Sequence, residues 1–180
     1  MTFEYRKIHE NELKRSLFKT FIRRQEVNLC LRRDSSGGWV TRPDPFIDDW
    51  SEKDYETLIN CLKETAKTGG FLLGCFSGGE LKGFVSAESR LLGSQKQYCD
   101  LTSLHVSQDM RRLGIGRRLF ESAAEWAREH GAKKLYISSH SAVESQRFYL
   151  AMGCRDAEEY IQAHVESEPY DRQLEYVLLP

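Results

Sequence analysis

The stretch LTSLHVSQDMRRLGIGRRLF, residues 101–120, constrains the fold more than any other segment of this chain. An apolar strand-like run ends at Val106, and helical spacing begins near Gly116. A strand therefore turns into a helix across a short junction holding two glycines and four arginines. The first amides of a helix have no internal partner, and the helix dipole adds partial positive charge there. Gly114 and Gly116 permit unusual dihedrals and let a ligand approach the backbone closely. Arg111, Arg112, Arg117 and Arg118 supply charge-assisted donors suited to phosphate. Amides turned into one concavity form an anion nest, so the junction reads as a pyrophosphate cradle.

Two common phosphate loops fit it poorly. A nucleoside triphosphatase loop needs Lys-Ser/Thr after its last glycine, but Gly116 is followed by Arg117-Arg118. A dinucleotide fingerprint needs a third glycine where Leu119 stands. The pattern is Arg-x-x-Gly-x-Gly, written here RRLGIG (111–116).

The flanking segments give an element order. Leu13, Leu17, Phe18, Phe21 and Ile22 recur at helical spacing and predict an early amphipathic helix. Residues 32–49, with Ser-Ser-Gly-Gly and two prolines, read as a loop. Ser51 caps a second helix whose apolar face is Tyr55, Leu58, Ile59 and Leu62, and Gly69-Gly70 ends it. FLLGCF (71–76), LKGFVSAESRLL (81–92) and QYCDLTSLHV (97–106) read as strands. SGGE makes a hairpin turn, with an irregularity near Gly83. The helix after the cradle buries Leu119, Phe120, Ala123, Ala124, Trp126 and Ala127, and Gly131 stops it. KKLYIS (133–138) returns as a strand. Ser141 and Glu144 form a capping box for a helix that Gly153 ends. Late strands are expected near 154–164 and 173–179, and a short one at Phe3–Lys7.

The 180 residues fit one domain with a real core. A net charge of −1 argues against a dominant role on nucleic acid or an anionic membrane. No apolar run approaches the roughly 20 residues of a membrane span, and the N-terminus lacks a secretion signal. The five cysteines, odd in number and widely spaced, predict free thiols in a reducing cytoplasm, with neither disulfides nor a metal site.

In three places the sequence resembles the GCN5-related N-acetyltransferases (GNAT). LTSLHV (101–106) matches the family's L-x-x-L-x-V strand, RRLGIG its [Q/R]-x-x-G-x-[G/A] loop, and SQRFYLAMGC (145–154) its Tyr-bearing helix before a glycine. Cys154 stands where an aromatic residue is commoner. The likeness covers about 71–164, and residues 23–50 match nothing comparable. It implies a mixed α/β fold: a mostly antiparallel central sheet with a splayed parallel pair, flanked by helices. It implies acyl transfer from acetyl-coenzyme A, as co-substrate, to an amine. The diphosphate would sit on the backbone of Arg112, Leu113, Gly114, Ile115, Gly116 and Arg117, with Arg111 and Arg118 beside it. The pantetheine arm would pair like an extra strand with Leu104, His105 and Val106. Those amides would also polarise the thioester carbonyl. Ser145, one helical turn before Tyr149, would share the face that meets the sulfur.

Two proton tasks follow. An amine with a pKa of about 10 must lose a proton before it attacks, and the departing thiolate needs one. By resemblance, Tyr149 is the donor to sulfur; otherwise it is a core tyrosine beside Phe148. Asp100 is the first candidate base, standing where histone-acetylating members carry a glutamate, and Glu88 is the second. His105 and His140 flank the same region. Cys99 as a covalent nucleophile lacks a recognisable base. On the acceptor side the acids Glu158, Glu159, Glu166, Glu168 and Asp171 favour a cationic amine. Trp39, Phe46 and Trp50 in the acceptor-side loop, residues 23–50, form an apolar wall or anchor that loop. Three readings follow: a small-molecule acetyltransferase, a protein or peptide acetyltransferase, and a coenzyme A-binding regulator without turnover. Members of the family are often homodimers.

Overall fold

The computed structural model describes residues 2–178 and arranges them around a seven-stranded sheet. In chain order the strands are β1 (Glu4–Lys7), β2 (Gln25–Arg33), β3 (Trp39–Asp48), β4 (Phe71–Ser77), β5 (Glu80–Leu92) and β6 (Tyr98–Val106). They continue with β7 (Lys134–Ser139), β8 (Arg155–Asp156) and β9 (Arg172–Val177). The helices are α1 (Glu52–Lys67), α2 (Ile115–Glu129), α3 (Val143–Ala151) and α4 (Gln162–Ser167). The large sheet runs β1-β4-β5-β6-β7-β9-β8, and β2 and β3 form a separate hairpin. Every neighbouring pair in the large sheet is antiparallel except β6 and β7. This is the mixed architecture expected from the sequence.

The parallel pair positions the site. β6 and β7 pair only from Tyr98↔Lys134 to Asp100↔Tyr136, and from Leu101 onward they diverge. A bulge at Thr102, where Ser86 pairs with Ser103 and Ala87 with Leu101, helps turn β6 away. One core, holding Leu119, Phe120, Ala123, Leu135 and Ile137, lies under α2. A second, holding Tyr55, Ile59, Leu62 and Phe84, lies under α1. Gly83 sits where α2 crosses β5: a Cβ there would lie 2.8 Å from Ile115 Cγ2. Only a glycine lets that helix pack so close.

Ser51 caps α1 as expected, in a reciprocal capping box with Asp54. Four other expectations are corrected. The early helix over 13–22 is instead two 3-10 turns, Glu10–Glu12 and Arg15–Phe18. Leu13, Phe18 and Phe21 are buried all the same, and Ile22 is exposed; Phe18 and Phe21 pack edge-on or tilted against Phe84. The chain then has to reach β6, where Ile22 N bonds Ser107 Oγ at 2.9 Å.

Residues 32–49 are no loop but most of the β2–β3 hairpin, and only Asp34–Gly38 turns. Pro43 and Pro45 are tolerated because β3 has a partner on one side only. Ser141 does not cap α3: Ala142 holds the N-cap position without a side-chain bond, and Ser141 O accepts from Leu31 N at 2.8 Å. The strand expected near 154–164 shrinks to Arg155–Asp156, because Glu159 is drawn to Ser94 and Ile161 N bonds Tyr136 Oη at 3.0 Å. Of the strand expected to 179, β9 ends at Val177, and residue 179 lies outside the described residues.

Candidate active site

The splay between β6 and β7 opens into a cleft of about 950 Å³. Its β6 wall runs from Leu101 to Val106, and that edge of β6 has no strand beside it. Arg111, Arg112, Gly114, Ile115, Gly116 and Arg117 continue this wall into α2. Arg112 (φ 64°) and Gly114 (φ 80°) both adopt the left-handed conformation. These two reversals turn the backbone at the mouth of the helix. The first bond into α2 runs from Arg118 N to Gly114 O, at 3.2 Å. Ahead of it, the amides of Ile115, Gly116 and Arg117 meet no acceptor among the described residues. The space at Gly114 is open, with nothing within 4 Å of where a Cβ would lie. This loop fits a diphosphate: it has free amides, a helix N-terminus and flanking guanidinium groups.

The expected loop residues divide. Ile115 contributes backbone only, since its side chain is core. Arg111 is half-buried and tied back to Val106 O and Arg24 O, both at 3.4 Å. Leu113 is exposed and Arg118 stacks over the Tyr5 ring, so neither side chain lines the cleft. Leu104, His105, Val106 and Ser145 do line it.

The β7 side carries Ser138, His140, Glu144, Ser145, Phe148, Tyr149, Glu168 and Asp171. Tyr149, on α3, packs against Phe120 and Phe148. Its hydroxyl has no partner among the described residues. Burial, helped by Cys154 and Asp171, pushes its pKa well up, so it stays protonated. Burial also pushes the Asp171 carboxyl up, to about 7, with Glu168 adding to the rise. Burial takes His105 down to about 3 and lowers His140, so both rings are neutral.

Asp100 is not among the cleft-lining residues. It is buried and pairs with His164 Nε2 at 2.8 Å. Glu88 likewise lies outside the wall and accepts from Thr65 Oγ1 at 2.6 Å. Cys99 is a buried thiol pushed up to about 12 by burial, the opposite of an activated nucleophile. Trp39 lies between Arg33 and Arg172 and serves as an anchor. Phe46 packs with Val27, Cys30 and Ala142. Trp50 lines the cleft, edge-on to His105 with ring centroids 4.8 Å apart.

Sequence reasoning did not find Arg23, Gln25, Glu26 and Asp48, which close the third side. Arg23 and Asp48 form an ion pair, with the guanidinium over the Trp50 ring. Nothing local marks these residues, because their place depends on where the hairpin lands. β2 leaves the end of β6, held by Gln108 N to Ile22 O (2.9 Å), and reaches the start of α3 through Leu31 N to Ser141 O (2.8 Å). It thus straps the splay from one side to the other.

A sheet splayed at a parallel pair, with a helix mouth of free amides on one side and a half-buried tyrosine on the other, is the layout expected of a coenzyme A-dependent acyltransferase fold. The sequence profile of the Acetyltransferase (GNAT) family matches residues 38–154, and the chain belongs to that family. It is an acetyltransferase that takes acetyl-coenzyme A as co-substrate. A search of curated proteins returns no match. Among solved structures, a nourseothricin acetyltransferase is 14% identical with a TM-score of 0.73, covering 99% of this chain and 100% of that one. PaiA N-acetyltransferase from Thermoplasma acidophilum, in complex with coenzyme A, is 17% identical with a TM-score of 0.61, covering 98% and 99%. At these identities the likeness is one of fold.

Proposed function

We propose that the protein acetylates a primary amine of a small cationic molecule by direct attack within a ternary complex. The observation that carries this reading is the β2 strap. It crosses the splay from Ile22 at the end of β6 to Leu31 beside Ser141 and lines one side of the cleft through Arg23, Gln25 and Glu26, which suits a small acceptor better than an extended polypeptide. Charge supports the cationic part. The arginines come from the β6–α2 side, and the carboxylates Glu144, Glu168 and Asp171 from the β7 side. Arg23 does not upset this division, because Asp48 pairs with it.

When bound, acetyl-coenzyme A supplies an activated acyl carbon. The helix mouth at Arg112–Arg117 holds the diphosphate, and the free edge of β6 at Leu104–Val106 aligns the arm. Tyr149 donates a proton to the departing sulfur. Its raised pKa keeps that proton available across the neutral range.

Two measurements test the reading. In a thermal-shift comparison, coenzyme A should stabilise the protein and ATP and NAD should not; the reverse result removes it. In an acceptor screen with free-thiol detection, nourseothricin and spermidine should release coenzyme A faster than a lysine-bearing peptide. A strong preference for the peptide would overturn the small-molecule assignment.

A further inference from the structure

We infer that Asp171 is the general base that takes the ammonium proton of the acceptor, an assignment that rests on the acetyltransferase reading above. Asp171 sits in the short turn between α4 and β9, held by its own N–H to Glu168 O at 3.0 Å. It lines the same cleft as Tyr149. Its Oδ2 lies 3.5 Å from Ser138 Oγ, on the part of β7 beyond the last pairing with β6. That is the opened region of the splay, where the reacting groups have to meet.

The other acids and bases near the splay are exposed, committed or too weak: Glu144 and Glu168 also line the cleft, but both are exposed to solvent. Asp100 is taken by His164 and Glu88 by Thr65. His105, at about 3, holds a proton too weakly, and it packs between Trp50 and Phe84. His140 is lowered by burial, and its Nδ1 accepts from Ala142 N at 3.1 Å. The charged and titratable groups around Asp171 are Glu168 on its own turn, His164 on α4, Arg32 on β2 and Tyr149 on α3. Burial and Glu168 raise the carboxyl, while the Ser138 hydroxyl, His164 and Arg32 lower it, leaving it at about 7. A base matched to neutral pH can both accept a proton and release it again.

The step balances as follows. Asp171 takes a proton from R–NH3+, breaking an N–H bond and leaving the lone pair on nitrogen. That lone pair forms the N–C bond to the acyl carbon. As the C–S bond breaks, Tyr149 gives its proton to sulfur and recovers one from the adduct nitrogen. The products are the amide and the free thiol, and Asp171 returns its proton to solvent.

The test uses the full chain, Asp171→Asn and Asp171→Glu. In the free protein, carboxyl 13C NMR should show one aspartate titrating near neutrality, and that signal should vanish in Asp171→Asn. This measurement needs no acceptor, and a midpoint near 4 would overturn the assignment. With nourseothricin and spermidine as amine probes, Asp171→Asn should lower kcat about 100-fold and abolish the acid limb of kcat/KM. Coenzyme A affinity should change less than about twofold, and Asp171→Glu should recover part of the rate with a shifted limb. A variant that keeps both its rate and its acid limb would refute the assignment while leaving the acetyltransferase reading intact. Failure of the wild-type protein to bind coenzyme A would remove both.

Discussion

Glu175, in the middle of β9, is fully buried among donors, and replacing it by glutamine gives a prediction whose size follows from the structure. Its carboxylate accepts from Tyr98 Oη at 2.7 Å, Lys134 Nζ at 2.9 Å, Arg155 Nε at 3.0 Å and Glu158 N at 3.2 Å. Burial alone would raise its pKa, but the Tyr98 hydroxyl, the Lys134 ammonium, the Glu158 amide and the Arg155 guanidinium pull it from 4.5 down to about 2. At about 1.4 kcal/mol per tenfold change in acid dissociation, that difference corresponds to roughly 3 kcal/mol. The Arg155 side chain is 57% exposed, so solvent screening reduces the figure to about 2 kcal/mol. Because the folded-state pKa is depressed, this stability is fully present above about pH 4.5. It is lost as pH falls toward 2, with roughly half gone by pH 3. Urea unfolding at pH 7, 5, 4 and 3 reads it directly. Glu175→Gln should be less stable than wild type by about 2 kcal/mol at pH 7 and 5, and the gap should narrow below pH 4.5. A gap as wide at pH 3 as at pH 7, or one under about 0.5 kcal/mol at pH 7, would refute the reasoning.

Four further substitutions probe the site. Tyr149→Phe should lower kcat about 100-fold while coenzyme A affinity and melting temperature hold, because the hydroxyl has no protein partner to lose; full activity from about pH 6 to 9 would end its donor role. Gly114→Asp should weaken coenzyme A binding at least about 100-fold by calorimetry, from a carboxylate over the anion nest and about 1–2 kcal/mol of strain at φ 80°. Gly114→Ala, which carries the strain without the charge, should lose far less. Gly83→Ala should cost about 1–3 kcal/mol in urea unfolding and weaken coenzyme A binding. Its new Cβ would press on Ile115 Cγ2 at 2.8 Å and Leu119 Cδ1 at 3.1 Å, displacing the helix mouth.

The sequence alone determined the strand–turn–helix at Val106–Gly116, the capped helix from Ser51 and the order of elements from Phe71 to Gly153. Those features are written in neighbouring residues: a change of hydrophobic period, a glycine at φ 80°, a serine three residues before its capping partner. Tertiary structure decided the rest. Leu13, Phe18 and Phe21 have helical spacing, yet the segment that packs them against Tyr55 and Phe84 is two short 3-10 turns and not one α-helix. The prolines of 32–49 mimic a loop because a strand bonded on one side tolerates what a central strand would not. The pairing of Tyr149 with Asp171 in one cleft, and the removal of Asp100 to His164, depend on how β9 and α4 dock against β7. No local pattern encodes such contacts, because the partners are distant in sequence and meet only when the sheet closes.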